Sequence, residues 1–219
     1  MSIRICLTDT TIAAIKDSGY SLYGMQAFNT TNASGKPLIW LAVTDLGQNM
    51  VIEVPPGEQV YVSSSPLVPN GLVDVWKTAP VNPGQTATLD DANGAPALTV
   101  TEGGDSAGVT LANRSAAPYT MGLAGRGWLS DEFAPIFGAT VHGNNEDFVA
   151  PLAQILLTFS TEGSVRGTLV ERSMSQSLLV NMNLTGMDYA VAYDIDKGWT
   201  NPSTQVAAGE DLTAVLVHQ

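Results

Sequence analysis

Glycine and proline interrupt this chain so often that it has little room for long helices. Twenty-one glycines and twelve prolines fall between short runs rich in β-branched and aromatic residues. That punctuation is the pattern of an antiparallel β-sandwich or barrel. Strands are expected at residues 3–8, 23–29, 38–44, 50–54, 59–63, 72–77, 86–89, 97–101, 108–113 and 119–123. Further strands are expected at 136–141, 153–160, 166–171, 177–183, 189–194 and 212–217. One short helix is expected over residues 10–17, with a Thr cap and with Ile12, Ala13 and Ile15 at near-helical spacing.

The turns have a chemical basis. Proline presets φ and glycine supplies a positive φ, so Pro55-Pro56-Gly57-Glu58, Asn70-Gly71, Asn82-Pro83-Gly84 and Asn93-Gly94 all read as reversals. The acidic, glycine-rich stretch Thr101-Glu102-Gly103-Gly104-Asp105 is the best boundary between a first half (1–105) and a second half (106–219). Both halves are β-rich, and a single continuous domain is the alternative. A recurrence spans that boundary: Phe28-Asn29-Thr30-Thr31-Asn32, Leu111-Ala112-Asn113-Arg114-Ser115 and Val180-Asn181-Met182-Asn183 each end an apolar strand in an Asn-bearing turn.

The formal charge is −12, from 21 acidic and 9 basic residues, and the excess is spread along the chain. Such a surface repels phosphate backbones, so nucleic acid is not an expected partner. Only 14% of residues are charged, against about 25% in ordinary soluble proteins, which suits surface buried in a homo-oligomer. The most apolar stretch, 148–159, contains Pro151 and Gln154 and is too short to span a bilayer. As written, the N-terminus shows no signal peptide. The localisation expected is cytoplasmic, or release without a leader, or supply as a mature form.

Catalytic constellations are missing from the sequence. Two histidines and one cysteine offer no zinc spacing, and no metal or cofactor is expected. Asp194-Ile195-Asp196-Lys197-Gly198 lacks the further carboxylates of a calcium loop and reads as a turn. His142 is the only internal histidine, His218 being the penultimate residue, and nothing local supports a Cys6–His142 pair; no GxSxG element is present. Cys6 itself alternates with the apolar face of Ile3, Ile5 and Leu7 and reads as a half-buried thiol. The sequons at Asn29, Asn32, Asn113 and Asn183 read as turn asparagines.

Aromatic side chains and one polar loop remain. Trp40 lies in a run that is apolar on both faces and belongs in the core. Trp76, Trp128 and Trp199 sit near strand ends, beside glycine or a cation, a setting for stacking on a sugar or a choline-type headgroup. The loop Asn144-Asn145-Glu146-Asp147 adds planar amides and carboxylates. Candidate ligand-binding residues are therefore Trp76, Trp128, Trp199, Asn144, Asn145 and Asp147. The segment Asn32-Ala33-Ser34-Gly35-Lys36, opening a strand, resembles the leaderless β-sandwich lectins and cytolysins of the actinoporin and aegerolysin-like groups. That resemblance covers five residues and carries no site residue over.

The function expected is a non-enzymatic, oligomeric binding protein for a glycan or lipid headgroup, lectin-like or a cytolysin-type toxin. The alternative is a self-assembling shell or appendage component. A hydrolase with a site hidden from the sequence ranks third.

Overall fold

The computed structural model describes residues 2–54, 58–91, 96–182, 189–200 and 204–219. Pro55-Pro56-Gly57, Asn93-Gly94 and Asn183 lie outside the described residues. In chain order the elements are β1 (Ser2–Cys6), α1 (Asp9–Asp17), β2 (Ser21–Thr30), β3 (Lys36–Pro37), β4 (Ile39–Val43), β5 (Asn49–Glu53) and β6 (Gln59–Ser63). They continue with β7 (Lys77–Pro80), β8 (Gln85–Asp90), β9 (Ala97–Glu102), β10 (Val109–Asn113), β11 (Tyr119–Gly127), β12 (Ser130–Val141) and β13 (Asn145–Ser160). The last are β14 (Ser177–Asn181), β15 (Tyr189–Asp194), β16 (Gly198–Trp199), β17 (Thr204–Val206), α2 (Leu212–Leu216) and β18 (Val217–His218). With about 56% strand and 7% helix, the chain is all-β.

Three sheets form. One has the order β16-β15-β1-β5, and another is the antiparallel sheet β3-β12-β11-β6-β7. The largest runs β17-β14-β13-β10-β8-β9, with β2 joining it through β13 and with β4 and β18 paired to β2. Every sheet draws strands from both sides of residue 105. The sheets are antiparallel-rich, but β1–β15, β8–β10 and β2–β18 pair in parallel.

Alternation explains the first strand. Ile3 and Ile5 are buried, Arg4 is exposed and Cys6 is half-buried, as the period of two requires. The helix α1 starts where Thr8 accepts the Thr11 N–H in its side chain, and it buries Thr11 and Ile15. In β13, Pro151 has no N–H to give its neighbour, and the register against β2 shifts between Pro151 and Ile155. One core cluster collects Ile3 of the first sheet, Leu22 and Phe28 of the largest, and Met121 and Phe137 of the third. Phe28 and Phe137 meet across two sheets with ring centroids 4.9 Å apart.

Three expected strands are different structures. Residues 72–77 contribute only the bridge Leu72–Thr168, and the ladder with β6 begins at Lys77. Residues 166–171 form the bridges Leu38–Leu169 and Leu72–Thr168 instead of a ladder. Residues 212–216 are the helix α2, because the Asp211 side chain accepts the Thr213 N–H and Leu212 and Leu216 share its buried face.

The β12–β13 hairpin is gripped from both flanks. Beyond β2, Asn32 Oδ1 accepts from the N–H and Oγ of Ser34 (2.8 and 2.6 Å), while its Nδ2 donates to the Thr140 carbonyl at 2.9 Å. At the end of β10, Asn113 Oδ1 accepts from the N–H and Oγ of Ser115 (3.0 and 2.6 Å), while its Nδ2 donates to the Val141 carbonyl at 2.9 Å. After each Asn-x-Ser buckle the chain leaves a partner of β13 and becomes a partner of β12.

Candidate functional site

The β11–β12 hairpin turns through two residues, Trp128 and Leu129, because Gly127 pairs directly with Ser130. Leu129 adopts a left-handed φ of 55°, a conformation that favours glycine. Its side chain is 86% exposed. The Trp128 indole is turned back toward β5, where Nε1 donates to the Val51 carbonyl at 2.8 Å.

Between this hairpin and β5 lies an open cleft of about 580 Å³. Trp128, Leu129 and Val51 give it apolar surface, and Glu53, Glu58, Asp131 and Arg126 give it charge. Arg126 donates from Nε to Glu58 (3.0 Å) and from Nη1 to Asp131 (3.2 Å), and its guanidinium carbon lies 5.1 Å from the Phe133 ring centroid. Glu53 is exposed, and its carboxylate makes no hydrogen bond or ion pair among the described residues. With three carboxylates against one shared guanidinium, the cleft suits hydroxyl donors and cationic groups better than anions.

A second arginine fixes the hairpin from beneath. Arg166 donates from Nε to the Trp40 carbonyl (3.1 Å) and from Nη2 to the carbonyls of Glu132 (2.7 Å) and Gly125 (3.4 Å). It thereby ties both hairpin strands to β4. Burial lowers its pKa from the usual guanidinium range, and the Glu132 carboxylate opposes that shift. A side chain on Gly127 would place Cβ 2.3 Å from Arg166 Nη1, so any larger residue there must displace the guanidinium.

The other candidate residues fall in three different places. Trp76 is 45% exposed, with Lys77 Nζ 5.5 Å from its ring centroid. Trp199 is 3% exposed and packs with Phe159 and Tyr193 at centroid distances of 5.6 and 5.0 Å. It fills core and offers no open face to a ligand. Tyr193, in that aromatic cluster, has its phenol pKa raised by burial, with Tyr20 and Asp194 adding to the effect. Asn144 makes the β12–β13 turn at φ 58°, and Asn145 donates its N–H to the His142 carbonyl. Asp147 accepts from Asn32 Nδ2 at 2.7 Å, and Glu146 pairs with Arg114. Asn144 and Asn145 are exposed, whereas Asp147 serves the neighbouring buckle. Asp194 accepts the N–H groups of Asp196 and Lys197 (3.0 and 3.2 Å) and closes its own turn.

Sequence reasoning found Trp128 but not the residues around it. Glu53 and Glu58 lie more than 65 positions away on β5 and before β6, where nothing local announces them. Leu129 was discoverable: an apolar residue at the tip of a Gly-Trp-Leu-Ser reversal has no core to enter. Among the described residues, no group of three or more His, Cys, Asp or Glu side chains is placed to hold a metal ion, and no helix is long and apolar enough to cross a membrane. Comparison with family models, curated proteins and solved structures found no match to this chain.

Proposed function

We propose that this chain is a non-catalytic binding protein that recognises a glycan or a lipid headgroup at the Trp128 cleft. One observation carries the reading: an indole and three carboxylates line a single open cavity whose lip is the exposed Leu129. Indole suits the C–H face of a sugar ring or an ammonium group, and carboxylates accept from hydroxyls or pair with cations. A bare phosphate finds no free cation there, because Arg126 is shared between Glu58 and Asp131. A glycan and lipid array tests this, run with wild type and Trp128→Ala. Retention of a glycan or headgroup by wild type and its loss in Trp128→Ala support the reading. Identical, featureless arrays, or a ligand that Trp128→Ala retains, overturn it.

A second reading is self-assembly through the same region. Val51 and Leu129, 46% and 86% exposed, form an apolar lip on a weakly charged chain, and a standard interface buries about 800 Å² per partner. Sedimentation at several concentrations and two ionic strengths tests it. An oligomer that persists as salt rises supports assembly through apolar surface, and a monomer throughout removes it.

A further inference from the structure

The Trp128 cleft borders the outward face of the sheet β16-β15-β1-β5. In β1, Ile3 and Ile5 are buried, so Arg4 between them points outward. Its register partner on β5 is Val51, and Ser2 stands opposite Glu53. Register partners share a face of the sheet, so Arg4 projects beside the two β5 side chains that line the cleft. The Val51 carbonyl accepts from Trp128 Nε1 at 2.8 Å and therefore points away from β1. That makes Arg4 and Val51 a non-hydrogen-bonded pair, the closer kind, with Cα atoms about 4.5 Å apart. On the other flank the partner of Arg4 is Ala190, too small to cover it.

Arg4 is exposed, and its guanidinium makes no hydrogen bond or ion pair among the described residues. Arg126, by contrast, is held by Glu58 and Asp131. Two unlike recognition elements thus stand on either side of Val51. In the cleft, the indole and the unpaired Glu53 carboxylate suit a quaternary ammonium. Across Val51, a free guanidinium suits a phosphate ester. A ligand that engages both must carry both charges close together, as a choline phosphate ester does through its ethylene bridge. A plain cation leaves Arg4 idle. A plain anion meets Glu53 and a chain of net charge −12.

We infer that the cleft and Arg4 together bind a zwitterionic phosphoammonium group, with the ammonium against Trp128 and Glu53 and the phosphate on Arg4. The inference rests on the reading of the Trp128 cleft as a ligand site and narrows it. Such a group comes from a choline-lipid bilayer or from a soluble ester. Leu129, 86% exposed at the hairpin tip, favours the bilayer, because an exposed apolar side chain gains burial there.

The test is calorimetric titration with glycerophosphocholine, beside choline (ammonium only), glycerol 3-phosphate (phosphate only) and a methyl glucoside (uncharged). Wild type should bind glycerophosphocholine about tenfold more tightly than choline, the worth of one charge-assisted hydrogen bond, and glycerol 3-phosphate more weakly than either. Arg4→Gln, an exposed change whose melting temperature should match wild type, should remove that tenfold advantage and leave choline bound at least as well. Glu53→Gln should weaken choline and glycerophosphocholine alike, and Trp128→Ala should abolish both. Flotation with phosphatidylcholine and phosphatidylglycerol vesicles separates the sources. Binding to the first alone, weakened by Leu129→Asn, supports a bilayer ligand, and binding to neither while glycerophosphocholine is retained supports a soluble ester. The inference is overturned if glycerophosphocholine binds no better than choline, or if Arg4→Gln binds it as wild type does. Glucoside binding lost in Trp128→Ala, with no response to glycerophosphocholine, overturns the inference and leaves the Trp128 site standing, whereas silence from every probe and vesicle overturns the inference, leaving the array to decide the site.

Discussion

Asn32 and Asn113, 81 positions apart, donate to the carbonyls of adjacent residues on one strand, Thr140 and Val141, from its two sides. Each closes the same buckle on a serine two residues later. The likeness noted between the Asn-bearing turns of the two halves thus has a mechanical counterpart. It also decides the fate of two sequons: the Nδ2 atoms of Asn32 and Asn113 are occupied inside the fold and have no room for a glycan.

Asn113→Ala should lower unfolding free energy by about 2–4 kcal/mol, because two donors and two acceptor contacts vanish at a fully buried position. Asn32→Ala should cost a similar amount and should also release Asp147. Urea titration measures both, and a loss below about 0.5 kcal/mol for either would refute the clamp.

Gly138→Ala should destabilise by about 1–3 kcal/mol through overpacking, since its Cβ would lie 2.5 Å from the Tyr61 hydroxyl. That hydroxyl is buried without a partner among the described residues. Tyr61→Phe should therefore be neutral or stabilising alone and should recover much of the loss when combined with Gly138→Ala. Additive effects in the double-mutant cycle would contradict the contact.

Arg166→Met should cost about 2–4 kcal/mol, because three carbonyls lose a charged donor. Arg166→Lys should not rescue it, since a single ammonium cannot span carbonyls on β4, β11 and β12 as the planar fork does. Full recovery with lysine in thermal melts would show that charge alone matters.

Leu129→Asn should leave stability unchanged or raise it by about 1 kcal/mol, because asparagine accepts the left-handed φ more readily and no burial is lost. If Leu129 serves binding, retention on the array should fall at the same time. A destabilised variant would show that the leucine is held there by packing.

Burial raises the phenol pKa values of Tyr61 and Tyr193, with Tyr20 and Asp194 adding to the effect at Tyr193. A folded pKa above the unfolded value, about 10, leaves stability intact below that pH and erodes it as pH climbs higher. Spectrophotometric titration of the six tyrosines should show part of the phenolate signal appearing only with alkaline unfolding. Tyr61→Phe should move that transition to higher pH. Smooth ionisation of all six in the folded state would refute this.

The sequence disclosed strands wherever one stretch carried its own alternation and stops: the span 59–63 matches β6 and 189–194 matches β15. It misread 212–217 because Leu, Val and Leu look the same in a strand and in one turn of helix. The deciding feature was Asp211 as a cap with Leu212 and Leu216 four apart. Residues 166–171 have strand composition, but their hydrogen bonds go to scattered partners. Trp199 looked like a loop residue because its packing partner Phe159 lies 40 positions upstream. The Trp128 cleft was half legible for the same reason: its indole stands in a readable turn, whereas Glu53 and Glu58 arrive by tertiary folding.

The pairing of Ile3 with Tyr189 has a consequence for biosynthesis. Ribosomes add about 5–20 residues per second, so the first strand waits on the order of ten to forty seconds before its parallel neighbour has been made. Throughout that interval Ile3 and Ile5, fully buried in the finished fold, lack the partner that completes their sheet on that side. Folding is therefore dominated by late, distant contacts and should be slow. A nascent chain stalled before residue 189 should be captured by holdase chaperones far more readily than the completed chain.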